Sequence, residues 1–209
     1  MSCGRFVFDN YQDMKKRTIA VFDFDGTLTT KDTLLEFIKF ACGRWRFYLG
    51  FLLYSPLLVM MKLRLYPNWK AKEKVFAFFF KGWEYTYFKK LGQAFSSEIE
   101  KMRNEPVIKK MEDHIRCSDT VYVISASISE WVKPWCEQMM VTDVIATEIE
   151  VDSNNMVTGR FLSKNCYGQE KVNRFAKKEP DRKDYCLYVY GDSRGDKELL
   201  EYADYGILC

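Results

Sequence analysis

Short runs rich in β-branched and aromatic residues recur along the chain at Thr18 to Phe24, Thr120 to Ala126, Val144 to Ile149, Cys186 to Tyr190 and Tyr205 to Leu208. Helical patterns separate most of them, and strands alternating with helices predict a parallel sheet covered on both faces. After Phe24 the alternation stops. From Thr33 to about Arg103 the pattern is helical, opening with Thr33-x-x-Glu36 as a capping box and Leu34, Leu35, Phe37, Ile38 and Ala41 at a 3.6-residue period. An α/β core is therefore expected, interrupted after its first strand by a helical insert. Around Asp152-Ser153-Asn154-Asn155, β-type residues from Glu148 to Phe161 predict a hairpin.

The chain has 209 residues, enough for one well-buried domain with an insert and too few for two full-sized domains. Its formal charge of +3 implies no particular partner, but the distribution is uneven. Lys31 to Phe95 holds twelve basic residues, four acidic ones and 18 of the 34 aromatics. Within this island, Phe47 to Met61 carries no charge and is bracketed by Arg44 and Arg46 on one side and by Lys62 and Arg64 on the other. The run is short for a bilayer span, which needs about 20 residues, and it contains Pro56. Two readings stay open: a helix buried inside the insert, or a surface facing membrane or lipid tails. A charge-free centre suits phosphate backbone poorly, so no nucleic-acid partner is expected, and no protein partner is identifiable.

Seven scattered cysteines without a C-x-x-C pair predict a reduced cytoplasmic protein without a zinc site. Residues 1–17 hold no apolar run of signal-peptide length, so export is not expected. A cytoplasmic location follows, with peripheral contact at the cytoplasmic membrane face if the apolar run faces lipid.

The strongest chemical signal is Asp23-Phe24-Asp25-Gly26-Thr27, directly after an apolar strand. A spacing of two along an extended chain puts both carboxylates on one side, where ligands of open parallel sheets bind. Two such charges repel by about 4 kcal/mol at an effective dielectric of 20, so a cation or a shared proton is required. The second signal is Gly191-Asp192-Ser193-Arg194-Gly195-Asp196, after another apolar strand. Gly191 permits a sharp turn, and Asp192 and Asp196 bring the acids at one sheet edge to four. Oxygen ligands without His or Cys favour Mg2+ over Zn2+. Ser125, at the end of the strand Thr120 to Ile124, offers a hydroxyl and nearby backbone N–H groups to an anionic oxygen, particularly if a helix begins just beyond. Lys171 alone reads as a solvated helix lysine. His114, the single histidine, is expected on the surface and remote from every motif, which excludes Ser/His/Asp or Cys/His hydrolysis.

In chain order, Asp23-x-Asp25-Gly-Thr, Ser125, Lys171 and Gly191-Asp192 with Asp196 resemble the four motifs of the haloacid-dehalogenase-like hydrolase superfamily. The phosphoserine-phosphatase-like branch, subfamily IB, is most similar, because its helical cap follows the first motif. Ser125-Ala126-Ser127, Thr158-Gly159-Arg160-Phe161 and Gly191-Asp192-Ser193 resemble the group containing bacterial phosphatidylglycerophosphatase C. The resemblance implies a Rossmann-like parallel-sheet core of residues 1–30 and 105–209 with a C1-type helical cap of residues 31–104. It implies Asp23 as the nucleophile of an aspartyl-phosphate and Asp25 as the acid and base. Mg2+ would be held by Asp23, the Asp25 carbonyl and Asp192, with Asp196, Gly191 and Thr27 in support. Phosphoryl oxygens would meet Ser125, Ala126 and Lys171. The substrate implied is a phosphate ester, with a phospholipid phosphate such as phosphatidylglycerophosphate set against a small soluble ester. Phosphoserine phosphatases typically carry Ser where Gly26 stands and use a cap glutamate near the position of Asp32. A phospho-accepting signalling protein is the remaining alternative, though receivers lack such an insert.

Overall fold

The computed structural model describes residues 16–63, 65–162 and 165–209. The N-terminal segment, with Cys3, and also Arg64 lie outside the described residues. The strands are β1 (Arg17–Phe22), β2 (Thr120–Ile128), β3 (Asp143–Thr147), β4 (Ile149–Val151), β5 (Val157–Phe161), β6 (Tyr185–Gly191) and β7 (Tyr205–Leu208). Five of them form a parallel sheet in the order β3-β2-β1-β6-β7. The central strand is apolar at every position from Ile19 to Phe22 because both of its faces are covered. Successive side chains separate into two cores: Ala20 and Phe22 on one face, Ile19 and Val21 with Leu187, Val189 and Phe175 on the other.

The chain leaves β1 into five helices, α1 (Thr33–Cys42), α2 (Arg44–Lys62), α3 (Asn68–Phe80), α4 (Tyr85–Ala94) and α5 (Ser96–Glu100). It returns through α6 (Glu105–Arg116) into β2, and α7 (Ser129–Gln138), α8 (Gln169–Lys178) and α9 (Lys197–Tyr202) complete the layers. The insert closes on phenylalanine: Phe37, Phe76, Phe80, Phe88 and Phe95 are at most 1% exposed. Phe37 stacks at 4.4 Å on Trp131 of α7, so the insert and the sheet-covering helices share one apolar cluster. The expected hairpin is present as antiparallel β4 and β5, with the Asp152 carboxylate accepting from the N–H groups of Asn154 and Met156. It also grips the insert. Gly159 has φ of +85°, and a Cβ there would lie 2.7 Å from the Ala77 Cβ, so only glycine lets α3 approach.

Three local expectations are corrected. Helix α1 is capped by Asp32, as its place beside the helix start suggests, and not by Thr33: the Asp32 carboxylate accepts from Leu35 N at 3.1 Å, and the Thr33 hydroxyl is drawn away to Asp25. The strand carrying Ser125 does not end at Ile124 but runs to Ile128 with a register shift, so no helix starts just beyond the serine. His114 is only 13% exposed at its side chain, since its ring packs against Phe22 and Tyr190 and both ring nitrogens are engaged.

Candidate active site

Where β1 ends, Asp23 N still donates to the Tyr190 carbonyl at 2.9 Å, continuing the pairing with β6. Phe24 turns into the core beside Trp135, which leaves Asp23 and Asp25 facing the other way. Gly26 has φ of +83°, and a Cβ there would sit 2.2 Å from an Asp192 carboxylate oxygen. The glycine therefore admits the second acidic loop. Gly191 does the same from that loop, since its Cβ would meet the Asp196 Cβ at 2.6 Å. In that loop Asp196 Oδ2 accepts from the Ser193 backbone and hydroxyl at 3.1 and 2.8 Å, and Gly195 N donates to Ser193 Oγ.

Lys171 is buried in the first turn of α8, and its Nζ lies 2.5 Å from both Asp23 Oδ1 and Asp196 Oδ1. Carboxylate oxygens of Asp23, Asp192 and Asp196 fall within 4.8 Å of one another. Three carboxylates, those of Asp23 and Asp196 buried and that of Asp192 exposed, outnumber one ammonium, and all the donors are oxygen. A divalent, hard cation fits that set. Burial pushes the Asp23 carboxyl up to about 7; the Lys171 ammonium opposes this, and Asp196 and Asp25 add to it. Asp192 is raised too, by burial and then by Asp196. For Lys171 burial works against the charge, but Asp23 and Asp196 outweigh it and hold the ammonium firmly protonated.

Asp25 stands apart from that cluster. Its Oδ1 accepts from Thr33 N and Oγ1 at 2.9 and 2.6 Å, and its Oδ2 accepts from the Ser127 hydroxyl. Burial raises its pKa, Asp32 adds to the rise, and Lys72 together with the Ser127 and Thr33 hydrogen bonds counter it. Thr33 and Ser127 were not placed at the site from sequence, where Thr33 reads as a helix cap and Ser127 enters only within Ser125-Ala126-Ser127. Ser127 could have been, because it lies two residues beyond Ser125 on the same strand.

Ser125 is fully buried, with Oγ accepting from Ser127 N at 2.9 Å. Ala126, Asp23, Asp25, Lys171 and Asp192 line a cavity of about 420 Å3, and Ser125 is not among its lining residues. The Ala126 carbonyl accepts at 2.9 Å from Lys72 Nζ of α3, a basic residue of the insert reaching the sheet edge. Thr27 is buried, and its hydroxyl has no hydrogen-bond partner among the described residues. The insert lines the cavity with apolar residues, among them Leu34, Phe51, Leu58 and Val75, and also with the charged Asp32 and Lys72.

The sequence profile of the haloacid dehalogenase-like hydrolases matches residues 20–201. Protein CicA of Caulobacter vibrioides is 28% identical over 191 residues, covering 89% of this chain and 83% of that protein. Among solved structures, a protein of unknown function from Bordetella pertussis Tohama I superposes with a TM-score of 0.74 at 20% identity, over 89% of this chain and 86% of that one. A phospho-aspartyl intermediate analogue of phosphoserine phosphatase superposes with a TM-score of 0.62 at 18% identity, over 90% and 84%. At these identities the structural likenesses establish the fold.

Proposed function

Because the chain belongs to the haloacid dehalogenase-like hydrolases, we propose that it is a Mg2+-dependent phosphomonoesterase acting through an aspartyl-phosphate on Asp23. The observation that carries this reading is the convergence of Asp23, Asp192 and Asp196 with the Lys171 ammonium at one end of a substrate-sized cavity. Asp23 and Asp192 would hold the cation, with the Asp25 carbonyl and Asp196 completing its oxygen set. When bound, Mg2+ supplies the positive charge that lets an anionic nucleophile and a phosphate dianion coexist.

The protein's own groups do the rest. A carboxylate oxygen of Asp23 forms a bond to phosphorus as the ester P–O bond breaks. Asp25, held at both oxygens by Thr33 and Ser127 and biased by burial toward its protonated form, gives its proton to the departing alkoxide. It then takes a proton from the water that attacks phosphorus, releasing phosphate and restoring Asp23. Lys171 and the backbone at Ala126 would hold phosphoryl oxygens, joined by Ser125 once its hydroxyl turns from Ser127 N toward the cavity, while Gly191 and Thr27 support the two acidic loops. Residues 31–104 act as a cap over the core of residues 1–30 and 105–209.

For the substrate, the apolar insert wall favours a phospholipid phosphate such as phosphatidylglycerophosphate, reached by peripheral contact with the cytoplasmic membrane face. Asp32, which also lines the cavity, favours instead a small soluble ester bearing an amine, such as phosphoserine. A panel of p-nitrophenyl phosphate, phosphatidylglycerophosphate and phosphoserine, assayed with Mg2+ and with chelator, tests the reading. Turnover that needs Mg2+ supports it. Full turnover after chelation refutes it.

A further inference from the structure

Helix α2 is apolar on every side, which ordinarily marks a helix sealed inside a core. Here only half of it is covered. Phe47 and Gly50 are buried, and Phe51, Tyr54 and Leu58 pack against the insert core. On the opposite side a second stripe recurs at helical spacing through Trp45, Leu49, Leu52, Leu53, Val59 and Leu63, and all six are exposed, Leu52 at 72% and Leu53 at 66%. At 100° per residue, Arg44 and Lys62 fall along one edge of this stripe and Arg46 along the other. Pro56 does not break the helix. Its missing N–H leaves the Leu52 carbonyl free, and the Ser55 hydroxyl donates to it at 2.8 Å.

The charge around this face is of one sign. Between Glu36 and Glu73 the sequence holds seven basic residues and no acidic one. Lys70 and Lys74 lie 5.3 Å from the Trp69 and Tyr66 ring centroids, adding aromatic and basic groups beside the helix. Among the described residues no helix is long and apolar enough to cross a membrane. A helix with an exposed apolar stripe, cationic edges and no acid of its own complements a surface that is apolar within and anionic outside.

We propose that α2 lies flat in the headgroup region of an anionic lipid bilayer, its Trp45–Leu53–Leu63 stripe in the acyl boundary and Arg44, Arg46 and Lys62 among the phosphates. The inner side of the same helix supplies Phe51, Leu58 and Met61 to the cavity that contains Asp23, so the membrane contact and the acidic site would lie on two sides of one helix. This deepens the phosphatase reading for what is delivered, but the contact with lipid does not depend on catalysis.

The test is co-sedimentation of the purified full chain with phosphatidylcholine vesicles, with and without phosphatidylglycerol, alongside the double variant Leu52→Glu, Leu53→Glu and hydrolysis of p-nitrophenyl phosphate by both proteins. The wild type pellets with the anionic vesicles and is released by salt. The variant loses at least tenfold in binding, an order of magnitude expected for placing two charges in the acyl boundary, and keeps its turnover of the soluble ester. A wild type left in the supernatant at low salt overturns the proposal. So does a stripe occupied by a second copy, seen as a wild-type dimer that dissociates in the variant without vesicle binding. Absent ester hydrolysis with intact vesicle binding would refute the phosphatase reading alone.

Discussion

The sheet edge and helix α2 break the usual rule of burial in opposite directions. At the edge, Asp23, Lys171 and Asp196 are charged and almost wholly removed from water. Along α2, tryptophan and leucine stand in it. Folding alone favours neither: an isolated ionised group costs several kcal/mol to bury, and each exposed leucine forgoes about 2 kcal/mol of transfer free energy. The edge solves its problem internally, by closing an ammonium between two carboxylates. Helix α2 has no internal solution among the described residues, and the lipid contact proposed above would complete it from outside. The contrast separates a site fitted for chemistry from a surface we propose to serve association.

The largest expected effect strikes the first region only. Asp23→Asn lowers ester turnover by at least about 10^4-fold, read in steady-state assays, while circular dichroism stays that of the wild type. A loss below tenfold would make the acidic cluster a structural feature. Next, Lys171→Met leaves Asp23 and Asp196 buried without their cation and destabilises the chain by about 3 to 5 kcal/mol in urea denaturation. Added Mg2+ restores part of that stability by binding the folded state, and an unchanged midpoint would mean the ion pairs contribute nothing. Within the insert, Phe80→Ala, at a fully buried ring, costs about 3 to 5 kcal/mol, whereas Leu52→Glu stays within about 0.5 kcal/mol of the wild type. Equal losses would mean that the outer stripe is packed.

The smallest effect lies outside both regions, where the insert meets the sheet-covering helices and Tyr85 of α4 donates to Glu130 of α7 at 3.2 Å. Burial raises the Glu130 pKa above its usual 4.5, against the opposing Ser129 and Tyr85 hydrogen bonds and Lys133. The folded state therefore holds this proton more tightly than the unfolded one. Its contribution to stability is full below pH 4.5, falls as pH rises through the shifted value, and is constant above it. Glu130→Gln flattens that slope in pH-dependent denaturation, and an unaltered slope would assign it to other groups.

Much of the sheet edge was legible beforehand because its residues are local. Asp23, Asp25 and the Gly191–Asp196 turn each follow an apolar strand, and β7 coincides with the expected Tyr205 to Leu208. Lys171 was not legible from its own surroundings, since only tertiary packing brings α8 to the acids. The roles of Thr33 and Ser127 were hidden for a similar reason. Thr33 offers the same hydroxyl to a helix cap or to Asp25, and the choice depends on a carboxylate eight residues upstream. His114 was misread because its partners, Asp119 and Tyr190, come from two other segments. The state of α2 could not be read at all, because an apolar helix looks the same in sequence whether its second face meets protein or water.

Whether Asp23 carries the phosphoryl group is decided by trapping the covalent intermediate. Enzyme mixed with p-nitrophenyl phosphate and Mg2+ is quenched during turnover and treated with borohydride, which converts an acyl-phosphate of aspartate to homoserine, and its peptides are then mapped by mass spectrometry. Homoserine is expected at Asp23 and at no other carboxylate. An Asp23 peptide that remains aspartate while the modification appears at another residue, or at none during active turnover, would contradict it.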